Sequence, residues 1–270
     1  MDIDSKLPDN YKNHKIWLTL DLEELEDANF NLIKIKDYNI NYECIIDKWL
    51  MLCEEFQVKS TIFVLGTFCL KYPHIVQKIY NAGHEIASHG YKHNLIYKEN
   101  FKDWINSIND AKKILEDTIS SEVNGYRSPS WSLPNDKKYY QELLEAGYKY
   151  SSSYFPFKTY MYGNSEDKKE PFKVELKDDF IVEIPIPKLI LPFSGGFYLR
   201  VLPMPILNHL FTKMLKNAKK PVIYIHPYEL LDENLSIYLY SKMKINFDYF
   251  LATFCTSKPH NKIKKILKRL

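Results

Sequence analysis

Short runs of β-branched, aromatic and leucine residues alternate along this chain with longer stretches of helical periodicity, and that alternation admits few architectures. The runs are Lys15–Asp21, Lys59–Gly66, Glu85–His89, Asn124–Arg127, Tyr148–Ser153 and Pro221–His226. Helical patterns fill Asn41–Phe56, Phe68–Ala82, Phe101–Ile119 and Asp136–Ala146, and further helices are expected within Pro205–Asn217 and Ser236–Phe254. Two patterns end in Ala-Gly (Ala82-Gly83 and Ala146-Gly147), where glycine suits the left-handed residue that closes a helix. Strand–helix–strand repetition predicts parallel pairing. Over 270 residues it predicts an α/β fold, either an α/β barrel, complete or incomplete, or a doubly wound sheet. Tyr154–Leu202 departs from the pattern, with Pro156, Pro171, Pro185, Pro187, Pro192 and Gly195-Gly196 around an alternating run at Phe180–Ile186. Irregular or hairpin structure decorating the barrel is expected there. With no internal repeat or low-complexity linker, a single domain over residues 1–260 and a basic tail over 261–270 are expected.

Composition narrows the function classes. A 45% hydrophobic, 26% charged chain has the means to build a core, which excludes a disordered or collagen-like chain. No apolar run approaches the ~20 residues that cross a bilayer. The opening Met-Asp-Ile-Asp-Ser-Lys lacks the basic region and apolar segment of a secretory signal, so a cytoplasmic location is expected. Net charge is +3, but Lys262, Lys264, Lys265, Lys268 and Arg269 all lie in the last ten residues. Without those five the chain carries 32 basic and 34 acidic residues, which argues against nucleic acid as a partner. Cys44, Cys53, Cys69 and Cys255 lack metal-site spacing and read as reduced, buried thiols.

The polar residues that stand out fall where predicted strands end. Asp21 and Glu23 follow Ile16–Leu20, His89 follows Glu85–Ser88, Arg127 follows Val123–Tyr126, and His226 follows Val222–Ile225. In a parallel barrel all C-terminal strand ends converge on one face, where active sites are found. His89 and His93, four residues apart, can aim both imidazoles at one ion, and a carboxylate completes a facial set with open positions. Asp21 and Glu23, at alternate positions, share a side if the strand continues. Arg127 can pair with a carboxylate and keep it ionised. Trp131 can stack on a sugar or fill the core, and His226 can be structural or a general acid.

Taken in order, these pieces resemble the polysaccharide deacetylase family, the NodB-homology or carbohydrate esterase family 4 group, from about Ile16 to Glu229. Thr19-Leu20-Asp21-Leu22-Glu23 is similar to its first motif, and Ala82–His93 resembles the metal-histidine motif. Gly125–Trp131 is similar to the third, and Tyr224-Ile225-His226-Pro227 resembles the last. Gly195-Gly196-Phe197-Tyr198-Leu199-Arg200, Pro203 and His226–Glu229 look most like an exopolysaccharide-associated subgroup. Two positions depart from the family pattern. Leu22 stands where a second aspartate is usual, and Ser151 stands where the fourth motif supplies an aspartate, for which Glu183 is a candidate substitute.

The resemblance implies a distorted, incomplete seven-stranded (β/α) barrel that removes an acetyl group from an N-acetylated sugar or glycan with a divalent metal, zinc being the expected ion. It implies Asp21 as base, Arg127 as its partner, His226 as acid, and Glu23, His89 and His93 as metal ligands. Ser130, Trp131 and Phe197 are the expected substrate contacts, with the backbone N–H near Ser130 helping an oxyanion. Rival readings are a deformylase or other C–N amidohydrolase on the same scaffold, an inactive sugar-binding barrel, and a metal-free scaffold. The tail carries Ile263, Ile266, Leu267 and Leu270 at helical spacing among basic residues. It suits either peripheral contact with an anionic membrane or docking on the barrel.

Overall fold

A computed structural model describes residues 2–27, 40–158, 163, 168, 170–189, 193–217, 219–231 and 258–269. The helix expected within 236–254, and Cys255, lie outside the described residues. The strands are β1 (Trp17–Leu22), β2 (Thr61–Val64), β3 (Glu85–Ser88), β4 (Gly125–Tyr126), β5 (Tyr150–Ser151), β6 (Phe172–Glu175), β7 (Phe180–Glu183) and β8 (Val222–Ile225). They form one sheet in the order β6-β7-β5-β4-β3-β2-β1-β8. Seven strands run parallel, and β6 pairs antiparallel with β7 at the edge. The sheet is the distorted, incomplete seven-stranded barrel that the family resemblance implies, with one antiparallel strand added.

The helices that connect the strands are α1 (Asp9–Asn13), α2 (Tyr42–Glu55), α3 (Gly66–Lys71), α4 (Pro73–Asn81), α5 (Phe101–Ile119), α6 (Lys137–Glu145), α7 (Gly196–Val201), α8 (Met204–Lys216) and α9 (Lys258–Leu267). Their local causes are readable. Asn41, Asn100 and Asp136 cap α2, α5 and α6 by accepting from Cys44, Lys102 and Lys138 N–H. On α5 the buried residues are Trp104, Ile108, Ala111, Leu115 and Ile119, one stripe at three- and four-residue steps. Gly83 and Gly147 follow α4 and α6 at φ +79° and +87°, a conformation glycine adopts without a Cβ penalty. The single helix expected over Phe68–Ala82 is two, because Pro73 cannot donate the hydrogen bond that would continue α3 and instead starts α4.

Strand alternation divides the core in two. Leu18, Leu20, Ile62, Val64, Ile223 and Ile225 face the helices, while Trp17, Phe63, Ala87, Tyr150, Val182 and Tyr224 fill the barrel interior. Thr19 and Asp21 lie on the interior parity with Trp17. β1, flanked by β2 and β8, is buried along its whole length.

The region 154–202 contains the expected hairpin, β6 paired antiparallel with β7, but that hairpin is not mere decoration. Its alternating run is β7, all four of whose residues are buried and which pairs in parallel with β5, so it is a barrel strand. The glycine pair opens helix α7. At the C-terminus, α9 buries Ile263, Ile266 and Leu267 against α7 and the Pro227–Leu230 turn, so the apolar face that membrane contact requires is docked on the barrel. Cys53 and Cys69 are buried, but Cys44 is exposed, against the expectation of buried thiols. Among the described residues, no helix is long and apolar enough to cross a membrane.

Candidate active site

Parallel strands place their C-terminal ends together, and Asp21, Glu23, His89, Arg127 and His226 sit at those ends. Asp21 is on β1 and Glu23 one residue past it; His89, Arg127 and His226 directly follow β3, β4 and β8. Arg127 is fully buried and donates from Nη1 to Asp21 Oδ1 (2.7 Å) and Thr19 Oγ1 (2.9 Å). Its Nη2 and Nε reach Ser152 Oγ (3.1 Å) and the Ser152 carbonyl (3.3 Å), and its guanidinium lies 4.0 Å from the Phe63 ring centre. A charge so placed is held by hydrogen bonds on every side, and it fixes the Asp21 carboxylate in turn. Thr19 and Ser152 are not among the predicted residues. Period-two alternation from Asp21 points to the first, and only the pairing of β5 with β4 reveals the second.

Glu23, His89 and His93 bring one ligand atom each to within 4.8 Å of one another, and all three are buried. The His89 and His93 rings are 5.4 Å apart, and Glu23 Oε2 lies 3.0 Å from His93 Nε2. That spacing is close to the roughly 3.3 Å edge of a tetrahedron with ~2 Å bonds, the arrangement of two ligands on one ion. His89 Nδ1 is 2.8 Å from the Arg127 carbonyl, which makes Nδ1 the protonated nitrogen and leaves the Nε2 lone pair free to ligate. The set therefore fits a divalent cation. Its electrostatics pull two ways: burial opposes a proton on His93, but the Glu23 carboxylate raises its pKa. Burial opposes charge on Glu23, yet His93, His226 and His89 together hold its carboxyl down at about 2. Burial pushes His89 down to about 4, keeping it neutral as a ligand must be.

His226 completes the cluster at the lip, with Nε2 4.0 Å from Glu23 Oε1 and a side chain 18% exposed. Burial works against its proton, but Glu229, Glu23 and Asp21 raise its pKa to about 9. The two positions considered for a fourth-motif carboxylate do other work. Ser151 donates to Ser153 Oγ (2.9 Å), and Glu183 Oε1 accepts from the N–H groups of Ser153 and Tyr154.

The expected substrate contacts separate. Trp131 is buried with its ring on Phe155 and Tyr224, so it fills the barrel interior. Ser130 lies in the short turn after β4, at φ 49°, beside Trp131 at φ 48°. Phe197 is on α7, 37% exposed, with its ring edge against Tyr198.

The sequence model described as "Polysaccharide deacetylase" matches residues 12–151, just over half of the chain. The chain belongs to the polysaccharide deacetylase family. A second model, described as "Domain of unknown function (DUF3473)", matches residues 152–270. Among curated relatives, the peptidoglycan-N-acetylglucosamine deacetylase of Bacillus cereus is 33% identical over 108 residues, covering 40% of this chain and 34% of the relative. The peptidoglycan-N-acetylmuramic acid deacetylase PdaC of Bacillus subtilis is 24% identical over 123 residues, 46% of this chain and 25% of the relative. The chain thus spans about a third or less of the length of these two relatives. A Mycobacterium smegmatis protein classed with the polysaccharide deacetylases superposes with a TM-score of 0.61 at 18% identity, covering 97% of this chain and 92% of its own. PuuE allantoinase shares the fold at a TM-score of 0.57 and 14% identity, covering 97% and 87%.

Proposed function

We propose that this chain is a divalent-metal-dependent N-deacetylase acting on an N-acetylated sugar in bacterial surface polysaccharide synthesis or modification. The observation that carries the reading is the convergence of Glu23, His89 and His93 beside the Asp21–Arg127 pair and His226. Two imidazoles and one carboxylate suit zinc, and a bound ion would supply Lewis acidity at the acyl carbonyl and make water acidic enough to attack. Asp21 accepts the proton of the attacking water. Arg127 keeps Asp21 aimed, because its other donors are fixed on Thr19 and Ser152. As the water oxygen bonds to the carbonyl carbon and the C–N bond breaks, His226 gives its proton to the departing sugar nitrogen. The products are acetate and a free amine. The reading takes the barrel as a single catalytic domain working in the cytoplasm.

The test is acetate release from N-acetylglucosamine oligomers by the full chain, with metal content measured in parallel. Asp21→Asn is expected to lower kcat about 10²- to 10⁴-fold, the range of general acid–base catalysis, at unchanged metal content. Equal turnover by that variant removes Asp21 from the role. Release of formate or ammonia in place of acetate moves the chain to another C–N hydrolysis.

A further inference from the structure

The acid of the proposed reaction lies in the segment matched as a domain of unknown function, and His226 has an elaborate support there. His226 begins the turn Pro227–Leu230 and is capped by Glu229, whose Oε2 accepts the His226 backbone N–H at 2.9 Å. The same oxygen lies 3.4 Å from His226 Nδ1. Its other oxygen, Oε1, is 3.3 Å from Arg200 Nε, and both side chains are at most 3% exposed. Gly196 makes room for this carboxylate. A Cβ at that position would lie 1.7 Å from Glu229 Oε1, so no other residue fits without moving the pair. The neighbouring Gly195 bridges Tyr224 of β8, which seats α7 against the strand that carries His226. Lys262 of α9 donates to the carbonyls of Leu202 (2.7 Å) and Arg200 (3.2 Å), holding the far end of α7. Tyr228 stacks on the imidazole, with rings 4.9 Å apart and within 7° of parallel.

We infer that Glu229, seated in a cradle of Gly196 and Arg200, is the positioning residue for His226, and that residues 152–270 supply this assembly to the barrel. With Nδ1 against Glu229, the ring turns Nε2 toward Glu23 and the ligand cluster, the side from which a leaving amine would be protonated. A carboxylate that holds the distal nitrogen of a catalytic imidazole fixes its tautomer and its aim. Ser151 and Glu183, bonded elsewhere, do not provide it. The inference rests on the deacetylase reading for its catalytic consequence and on geometry for the contact itself.

The experiment compares the full chain with Glu229→Gln, Glu229→Asp, His226→Ala and the Glu229→Gln/His226→Ala double variant. Glutamine keeps the capping oxygen and loses the charge. It is expected to lower kcat about 10- to 100-fold with KM within about twofold, aspartate restoring part of the loss. The double variant is expected to be no slower than His226→Ala, because Glu229 acts through His226. Glu229→Gln turnover within twofold of the parent, or a double variant slower by the full Glu229→Gln factor, overturns the inference. If Glu229→Gln unfolds by stranding Arg200, Arg200→Gln/Glu229→Gln removes both charges together and is read in the same way. If the parent chain turns over no N-acetylated substrate, the deacetylase reading falls and the contact is decided by NMR. A downfield His226 Nδ1 proton that moves upfield in Glu229→Gln sustains it, and an unchanged signal overturns it.

Discussion

Arg127 is a fully buried cation whose donors reach Asp21, Thr19 and Ser152 and whose face lies on Phe63. Replacing it by methionine keeps volume but leaves the buried Asp21 carboxylate without its cation. A stranded buried charge costs about 3–5 kcal/mol. Arg127→Met is therefore expected to lose stability of that order in urea denaturation, and a loss below about 1 kcal/mol would show that Asp21 finds another partner. At this scale the sequence is informative where chemistry and strand ends coincide. Asp21, His89, Arg127 and His226 each terminate an apolar run, and parallel topology then makes neighbours of them. Trp131 is not legible, since a tryptophan beside a serine turn has the same composition in a core as on a sugar platform. Glu229 ends the His226–Glu229 run that, with Gly195–Arg200, carries the subgroup resemblance, but the sequence alone gives it no role. Its meaning comes from Arg200 and Gly196, which lie well before it in the chain and meet it only in the fold.

At the start of β3 a buried imidazole, His84, and a half-buried carboxyl, Glu85, are neighbours of opposite tendency. His84 accepts at Nδ1 from Ser60 N–H (3.1 Å), and burial, assisted by Lys59, pushes it down to about 4. Glu85 accepts from Thr61 Oγ1 (2.6 Å) and Tyr150 OH (2.8 Å), and burial pushes it up to about 7. An imidazole lowered by folding adds stability that is complete above its unfolded value near 6.5 and is lost as pH falls through 4. A carboxyl raised by folding adds stability that is complete below 4.5 and is lost as pH rises through 7, so the two slopes oppose each other. His84→Asn keeps an acceptor toward Ser60 and removes one of the two titrations. Relative to the parent chain it is expected to gain about 3 kcal/mol between pH 7 and pH 4, since each tenfold difference in proton affinity between the folded and unfolded chain is worth ~1.4 kcal/mol. Urea melts across that range check it, and a difference that does not change with pH refutes it. Element types are readable from periodicity along most of the barrel. The failures cluster in 154–202, where prolines mask β7. Its alternating run reads as a hairpin with one wet face, whereas all four of its residues are buried, and its prolines lie just past its end.

Two sequence models divide the chain after residue 151, whereas the sheet crosses that line. β1 carries Asp21 and lies between β2 of the first segment and β8 of the second, with Trp17–Leu20 paired along Val222–Ile225. On the other side β5 pairs with β7. Residues 1–151 alone would expose the edge of β1 that pairs with β8 and open its interior side, while α2 still covers the outer face. Trp17, Phe63 and Tyr150 would be left without Val182, Val222 and Tyr224, which complete the barrel interior. Apolar surface on that scale, with unpaired strand edges, favours aggregation over folding. The fragment 1–151 is therefore expected to show no cooperative urea transition, while the full chain shows one. A cooperative transition in the fragment would mean that the first segment folds by itself and that residues 152–270 only lean on it. The catalytic consequence follows from the same topology. In the proposed reaction the base and the metal ligands would come from the first segment and the acid from the second, so that site needs β1 and β8 side by side.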